Sequence, residues 1–65
     1  MKQVLRQFEK AQVIIEEEIA RREELFDNRS EKWQESEKGE EFQEKTERLQ
    51  EMLDELIDWQ MELGE

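Results

Sequence analysis

The sequence contains no cysteine, no histidine and no proline, and each absence narrows what the chain can be. Without cysteine and histidine the chain has no disulfide, no thiolate or imidazole catalyst and none of the usual zinc ligands. Without proline, and with Gly39 and Gly64 as its two glycines, nothing forces a helix to stop over long stretches. We therefore expect no cofactor and no metal site, and expect stability to come from packing or from a second copy.

Long hydrophobic runs are also missing. The longest run of large apolar residues, Val13 to Ile15, is far shorter than the ~20 residues that cross a bilayer, and no secretory pattern opens the chain. A chain of 65 residues buries too little surface for two cores. We expect one domain over residues 1–65, located in the cytoplasm and not bound to membranes.

Charge of one sign dominates the chain. Twenty acidic residues against ten basic ones give a net charge of -10, which repels the phosphates of nucleic acids and of anionic lipids. We therefore expect no direct nucleic acid binding. Because 46% of the residues are charged and 34% are hydrophobic, disorder is an alternative that the spacing of the apolar residues has to decide.

The first half of the chain carries apolar residues at helical spacing. Steps of three and four residues separate them, with Arg22 filling one gap, which places them on one stripe of a helix. Leu5, Ile14 and Leu25 widen this stripe. Its members are Val4, Phe8, Ala11, Ile15, Ile19 and Phe26. The pattern predicts a helix over about 2–27, with i to i+4 ion pairs such as Glu18 with Arg22.

The second half follows a three-four alternation, which is a heptad pattern broken only by Lys45. The apolar members are Phe42, Leu49, Met52, Leu56, Trp59 and Leu63. Leu53 and Ile57 flank them. The pattern predicts a second helix over about 30–63, either continuous through Gly39 or kinked there.

Small polar residues separate the two patterns. Residues 27–30 can end one helix and start the next, and Asn28 with Glu31 has the spacing of a capping box. The two stripes are each about 33 Å long, so they can pair along their whole length. The predicted fold is all-α, an antiparallel two-helix hairpin with a turn at about 27–30.

A lone hairpin leaves part of these wide stripes uncovered. We therefore predict that two hairpins pair as a dimeric four-helix bundle or coiled coil. The residues expected in the hairpin or dimer seam are Phe8, Ile15, Ile19, Phe26, Phe42, Leu49, Met52, Leu56, Trp59 and Leu63.

Trp33 lies in the charged stretch SEKWQESEKGEE, with no apolar neighbour on either side. In an unbroken second helix it lies nearly opposite Phe42, because nine residues make two and a half turns. If the helix breaks or kinks at Gly39, Trp33 can fold over Phe26 and close the tip of the hairpin. One interpretation is therefore a tip cap or a dimer contact, and the other is a hot spot for a different protein.

The string RSEKWQESEKGE and the charged helical segment that follows it, NRSEKWQESEKGEEFQEKTERLQEMLDEL as a whole, resemble short helical-hairpin proteins of bacteria, phages and other mobile elements. The resemblance covers about half of the chain, residues 26–57. It implies a bacterial or phage source, and it implies neither an activity nor any functional residue.

No group of residues marks a catalytic or metal site, so we expect that the protein is not an enzyme. The favoured function is a small acidic protein-protein interaction module, encoded by a phage or other mobile element, that binds and modulates a host protein. One alternative is an acidic nucleic-acid mimic that inhibits a DNA- or RNA-binding protein such as a defence nuclease. A second alternative is a purely structural homodimer. The residues expected to bind a partner are Trp33, Glu40, Glu44, Glu47 and Glu51.

Overall fold

The computed structural model describes residues 2–64, which form three helices. Helix α1 spans Lys2–Asp27, the short helix α2 spans Glu31–Gln34, and helix α3 spans Glu37–Gly64. No strand is present between residues 2 and 64, so the predicted all-α class is confirmed. Helices α1 and α3 pack together.

The aromatic contacts give the relative direction of the two long helices. Phe8, near the start of α1, lies 6.4 Å from Trp59 near the end of α3, whereas Phe26 lies 6.3 Å from Phe42 near the start of α3, measured between ring centroids. Helices α1 and α3 therefore run antiparallel. The described chain is elongated, with principal extents of 47 × 15 × 11 Å.

The chain turns at one end of this pair, which we call the tip. The backbone N–H groups of Asn28 and Arg29 close the end of α1 through hydrogen bonds to the carbonyls of Glu24 and Phe26, both 3.1 Å long. Ser30, in extended conformation, then accepts a 3.2 Å hydrogen bond from the backbone N–H of Trp33. The N-cap of the next helix is therefore Ser30 rather than Asn28, because the Ser30 hydroxyl accepts from an N–H group in the first turn of α2, which has no carbonyl partner within that helix.

The second helix of the sequence prediction, 30–63, is divided in the structure. The interruption lies at Glu35 and Ser36, which separate α2 from α3. The Ser36 hydroxyl donates to the Trp33 carbonyl and accepts from the Gly39 N–H at 3.3 Å, so it satisfies polar groups on both sides of the break.

Gly39 lies inside α3, three residues beyond the break, and it is buried. A Cβ atom at this position would lie 2.5 Å from the carbonyl oxygen of Gln34 and 2.8 Å from its carbonyl carbon. Glycine is therefore needed because the backbone of α2 passes against α3 here, and not because the helix kinks at this residue.

Between α1 and α3, apolar side chains are mostly half-buried. Ile19 is the one apolar side chain of residues 2–64 that falls in the buried range, at 8% exposure. The half-buried side chains of the predicted seam are Phe8, Ile15, Phe26, Phe42, Leu49, Leu56 and Leu63. The two remaining seam residues, Met52 and Trp59, are 54% and 59% exposed.

The residues of α3 that face α1 therefore differ in part from the predicted ones. Four residues face α1 both in the prediction and in the structure, namely Phe42, Leu49, Leu56 and Leu63. Between them, the structure turns Thr46, Leu53 and Gln60 towards α1. The sequence pattern had placed the neighbouring residues Lys45, Met52 and Trp59 there. The reason begins at Thr46, whose hydroxyl can be buried because it donates a 3.1 Å hydrogen bond to the Phe42 carbonyl. The Lys45 ammonium has to stay in water.

Candidate functional site

Three aromatic rings meet at the tip and form a cluster, which we call the tip cluster. Trp33 lies edge-on to Phe26 and to Phe42, with centroid distances of 6.0 and 5.8 Å. Phe26 and Phe42 are stacked at 6.3 Å. Edge-to-face and offset-stacked pairs at these distances stabilise a protein by about 0.5 to 1.5 kcal/mol beyond their buried area.

Two arginines cover the outer faces of the tip cluster. The Arg29 guanidinium lies 4.3 Å from the Trp33 ring centroid, and the Arg22 guanidinium lies 3.9 Å from that of Phe42. Both distances are within the range of a cation–π interaction. The Gln34 amide also donates to the carbonyls of Phe26 and Arg29, at 2.9 and 3.1 Å, and so ties α2 to the end of α1.

Arg22 links α1 to α3 as well as covering a ring. Its Nε donates to the Thr46 hydroxyl and its Nη2 to the Phe42 carbonyl, each at 2.9 Å. The sequence pattern predicted an ion pair of Arg22 with Glu18, but Glu18 pairs with Arg21 at 2.6 Å instead. The reason is direction, because Arg22 points between the helices and Arg21 points to solvent.

The geometry of Trp33 agrees with the tip-cap interpretation of the sequence. Trp33 is half-buried, and both of its neighbouring rings belong to its own chain. Its partners cover much of the ring, so little of the side chain is left for a second protein.

Beside the tip cluster lies an open groove with a volume of about 310 Å³. Its lining residues are Arg22, Glu23, Phe26, Asp27, Phe42, Gln43, Thr46, Glu47 and Gln50. The Thr46 hydroxyl is the deepest polar group here, and it is already bonded to Arg22 and to the Phe42 carbonyl.

The glutamates Glu40, Glu44, Glu47 and Glu51 form one exposed row, which we call the acidic row. Each lies nine residues before an inward residue of α3, namely Leu49, Leu53, Leu56 and Gln60. Nine residues make two and a half turns, so the row lies on the outer side of α3, and Glu47 at its edge also borders the groove beside the tip cluster. Neighbours in this row are three or four residues apart, a spacing at which like charges destabilise a helix by about 0.2 to 0.5 kcal/mol per pair.

A second exposed surface is apolar, and its location follows from one hydrogen bond. The Gln50 amide of α3 donates to the Glu23 carboxylate of α1 at 3.3 Å, which places both residues on one side of the helix pair. Ile14 lies nine residues before Glu23, and Trp59 lies nine residues after Gln50. Ile14 and Trp59 therefore both lie on the opposite side of the pair.

Leu25 and Met52 lie on that same side. Each follows Glu23 or Gln50 by two residues, a rotation of about 200° around its helix. The exposed fractions of these side chains are 65% for Ile14, 44% for Leu25, 54% for Met52 and 59% for Trp59. We call Ile14, Leu25, Met52 and Trp59 the apolar face. Packing of α1 against α3 leaves these four side chains exposed.

Three further apolar residues are exposed, namely Val4, Val13 and Met61, and Val4 near the start of α1 is 42% exposed. Val13 is 53% exposed on the outer side of α1, and Met61 is 66% exposed. Met61 follows Gln50 by eleven residues, which is three turns and about 20°, so it lies on the side of the Glu23–Gln50 hydrogen bond. Val13 and Met61 are therefore matched controls for Ile14 and Met52.

Charges at the apolar face are of mixed sign. Within about 50° of its residues around the axes of the two helices, there are five basic and four acidic side chains. These residues are Lys10, Glu18, Arg21, Glu37, Lys38, Glu41, Lys45, Arg48 and Glu55. Arg21 donates two hydrogen bonds to Glu18, at 2.6 and 3.0 Å. This hydrogen bonding lowers the pKa of the Glu18 carboxyl and raises the pKa of Arg21.

Other site types find little support among the described residues. Over residues 2–64, no group of three or more acidic side chains is placed to hold a metal ion. None of the helices in that range is long and apolar enough to cross a membrane. No protein-family model, no curated protein and no solved structure matches this chain.

The apolar face combines residues that the sequence pattern assigned to two different roles. Met52 and Trp59 were expected in the seam, and Ile14 and Leu25 were expected only to widen the stripe of α1. The signal for this face was the excess width of both stripes. The residues at the edges of each stripe can lie on either side of the helix pair, depending on how the two helices are rotated against each other. That rotation becomes known only from contacts such as Glu23 with Gln50.

Proposed function

We propose that this protein is a small acidic protein-protein interaction module that folds as an antiparallel helical hairpin and binds another polypeptide through its apolar face. It acts in the cytoplasm of a bacterium, as the product of a phage or other mobile element, and modulates the protein that it binds. The observation that carries the proposal is the exposure of Ile14, Leu25, Met52 and Trp59 on one side of the helix pair.

Isolated exposed apolar side chains are common on monomeric proteins, but a contiguous set on one face marks a binding surface. Here the set includes a tryptophan and a methionine, two residue types that are enriched in the centres of protein interfaces. Trp59 lies 6.4 Å from Phe8 and is still 59% exposed, so much of its side chain is free to contact a partner.

The shape of the surface favours a helix as the bound element. Two antiparallel helices present a shallow furrow between them, and an amphipathic helix can lay its apolar side into such a furrow. The tip cluster holds α1 and α3 together at one end. The binding surface is thus built on rigid elements, and little ordering entropy is lost when it binds.

A photo-reactive amino acid at two matched positions tests this proposal. One variant carries it at Met52, on the apolar face, and the other at Met61, on the opposite side; both positions are exposed methionines of α3. We expect cross-links to protein at Met52 that are absent or at least about tenfold weaker at Met61. Equal cross-linking at both positions, or none at Met52, would overturn the proposal.

A second candidate function is inhibition of a nucleic-acid-binding protein by charge mimicry. The observation that favours it is the alignment of Glu40, Glu44, Glu47 and Glu51 on the outward side of α3. Aligned acids weaken a helix, so the arrangement has a stability cost for which electrostatic attraction to a basic groove would be a reason.

The two candidates respond differently to salt and to substitution. Charge mimicry predicts a complex that weakens steeply between 50 and 200 mM salt, competes with DNA or RNA, and is lost when the four glutamates are changed to glutamine. Binding through the apolar face predicts a complex that persists in all three tests. A complex that survives high salt would remove the mimicry candidate.

A further inference from the structure

We infer that the partner covering the apolar face is a second copy of this chain, so that two helix pairs form a four-helix bundle. This inference rests on the proposed function, because it names the occupant of the same surface. It is carried by the surface area of the chain, by its small core and by the distribution of charge.

The single chain exposes more surface than a folded monomer of its size. Its accessible surface is 5673 Å² at a mass of 8.1 kDa. A compact monomer of this mass exposes about 4,500 Å² by the general scaling of surface with mass, so the excess is about 1,200 Å². A stable interface removes about 800 Å² from each partner. One face of the helix pair can supply this area.

The core of the single chain is correspondingly small. Its radius of gyration is 14.9 Å, whereas about 11 Å is typical of a compact domain of this length. Ile19 is the one apolar residue from 2 to 64 that is buried. Two packed helices of this length rarely bury enough apolar area to offset about 1.5 kcal/mol of ordering entropy per residue. A second layer of helices would complete the core.

The distribution of charge makes a second copy acceptable at this face. The chain has a net charge of -10, but the apolar face is bordered by five bases and four acids. The acidic row lies about a quarter turn away around α3. Two copies can therefore bring their apolar faces together without placing one acidic row against the other.

The permanent exposure of the apolar face in a single folded chain also favours a second copy as its partner. The apolar face is exposed whenever a single chain is folded, whichever other proteins are present, and a second copy is always available. Most soluble oligomers are homo-oligomers, and a two-fold dimer uses the same patch on both subunits. Four helices around one apolar core are a common arrangement of this kind.

Sedimentation equilibrium of the purified chain at several concentrations tests the inference. We expect the wild-type chain to have twice the 8.1 kDa mass of one chain. The double variant Ile14→Glu, Met52→Glu should have the mass of one chain at the same concentrations. Each substitution should raise the dissociation constant of the dimer by about 30-fold, as at an interface hot spot.

The control is the double variant Val13→Glu, Met61→Glu. It adds the same two charges to the same two helices at positions of similar exposure, outside the apolar face. We expect it to remain dimeric with a helical circular dichroism spectrum. If the control dissociates while the Ile14 and Met52 variant stays dimeric, both the inference and the proposed function fail.

The mass of the wild-type chain keeps the inference testable even if the Ile14 and Met52 variant does not fold. A wild-type chain that is folded and monomeric up to about 100 μM would overturn the inference. The proposed function would still stand in that case if the photo-reactive residue at Met52 cross-links to a different protein. Cross-links at Met52 between two copies of the chain would support both.

Discussion

The two tryptophans differ in how far their own chain covers them. Trp33 is half-buried at the tip, between Phe26, Phe42 and the Arg29 guanidinium, so its contacts are completed within its own chain. Trp59 touches Phe8 at one edge and is 59% exposed on the apolar face. The tip is a closed cluster, and the apolar face is an open one.

This difference shows where the chain is complete as a monomer. At the tip, aromatic rings, arginines and Gln34 satisfy one another's contacts and hydrogen bonds. Along the apolar face, large side chains stay 44% to 65% exposed, even where Trp59 contacts Phe8. We interpret the tip as the part that fixes the fold and the apolar face as the part that binds.

The largest expected effect is the loss of the tip cluster. Trp33→Ala removes the ring that joins Phe26 to Phe42, and we expect the free energy of unfolding to fall by about 2 to 3 kcal/mol. Thermal and urea unfolding followed by circular dichroism measure this. If Trp33→Ala instead left stability unchanged and abolished binding, Trp33 would be a partner hot spot and the tip-cap interpretation would be wrong.

The next effect concerns the close approach of α2 to α3. Gly39→Ala places a Cβ 2.5 Å from the Gln34 carbonyl oxygen, and because backbone atoms cannot move aside easily, we expect a loss of about 1 to 3 kcal/mol. Gly64→Ala is the control, since a Cβ there meets nothing within 4 Å. If both variants unfold at the same urea concentration, α2 does not pack against α3 as described.

A smaller effect is expected from the polar link between the long helices. Arg22→Met and Thr46→Val each remove one side of the Arg22–Thr46 hydrogen bond, and a double-mutant cycle should give a coupling free energy of about 1 kcal/mol. Arg21→Met combined with Thr46→Val should be additive within about 0.5 kcal/mol, because these residues share no contact. If the control pair showed an equally large coupling free energy, the coupling between Arg22 and Thr46 could not be attributed to their hydrogen bond.

The smallest effect is a dependence on pH at the edge of the apolar face. Hydrogen bonding by Arg21 lowers the pKa of Glu18 below the usual value of a glutamate, so the pair stabilises the fold at pH values above that usual pKa. The contribution is lost as the pH falls through the lowered pKa. Glu18→Gln should therefore melt slightly below the wild type at pH 7, and the gap should close by pH 3. A gap that persists at pH 3 would contradict this assignment.

The sequence allowed the helical class and the first helix to be predicted, because the stripe from Phe8 to Phe26 is regular and no proline interrupts it. The break at Glu35 and Ser36 was not predicted, since it depends on the Ser36 hydroxyl bonding to both Trp33 and Gly39. Such a tertiary arrangement has no periodic signal.

The residues of α3 that face α1 were predicted in part, and the error has a physical origin. The apolar pattern pointed to Met52 and Trp59, but Thr46 and Gln60 take inward positions because their polar groups find partners on α1 and in α3. Hydropathy alone does not register a polar residue that is satisfied by a hydrogen bond. This shift is also what moves Met52 and Trp59 to the apolar face.

The most direct test compares the two tryptophans in single-tryptophan variants. Trp33→Phe leaves Trp59 as the single tryptophan, and Trp59→Phe leaves Trp33. As the protein concentration rises, we expect the Trp59 emission to shift to shorter wavelength and become protected from acrylamide, while the Trp33 emission stays constant. A Trp59 that remains open to acrylamide at concentrations where the chain is dimeric would contradict the account, because the apolar face would then not be the interface.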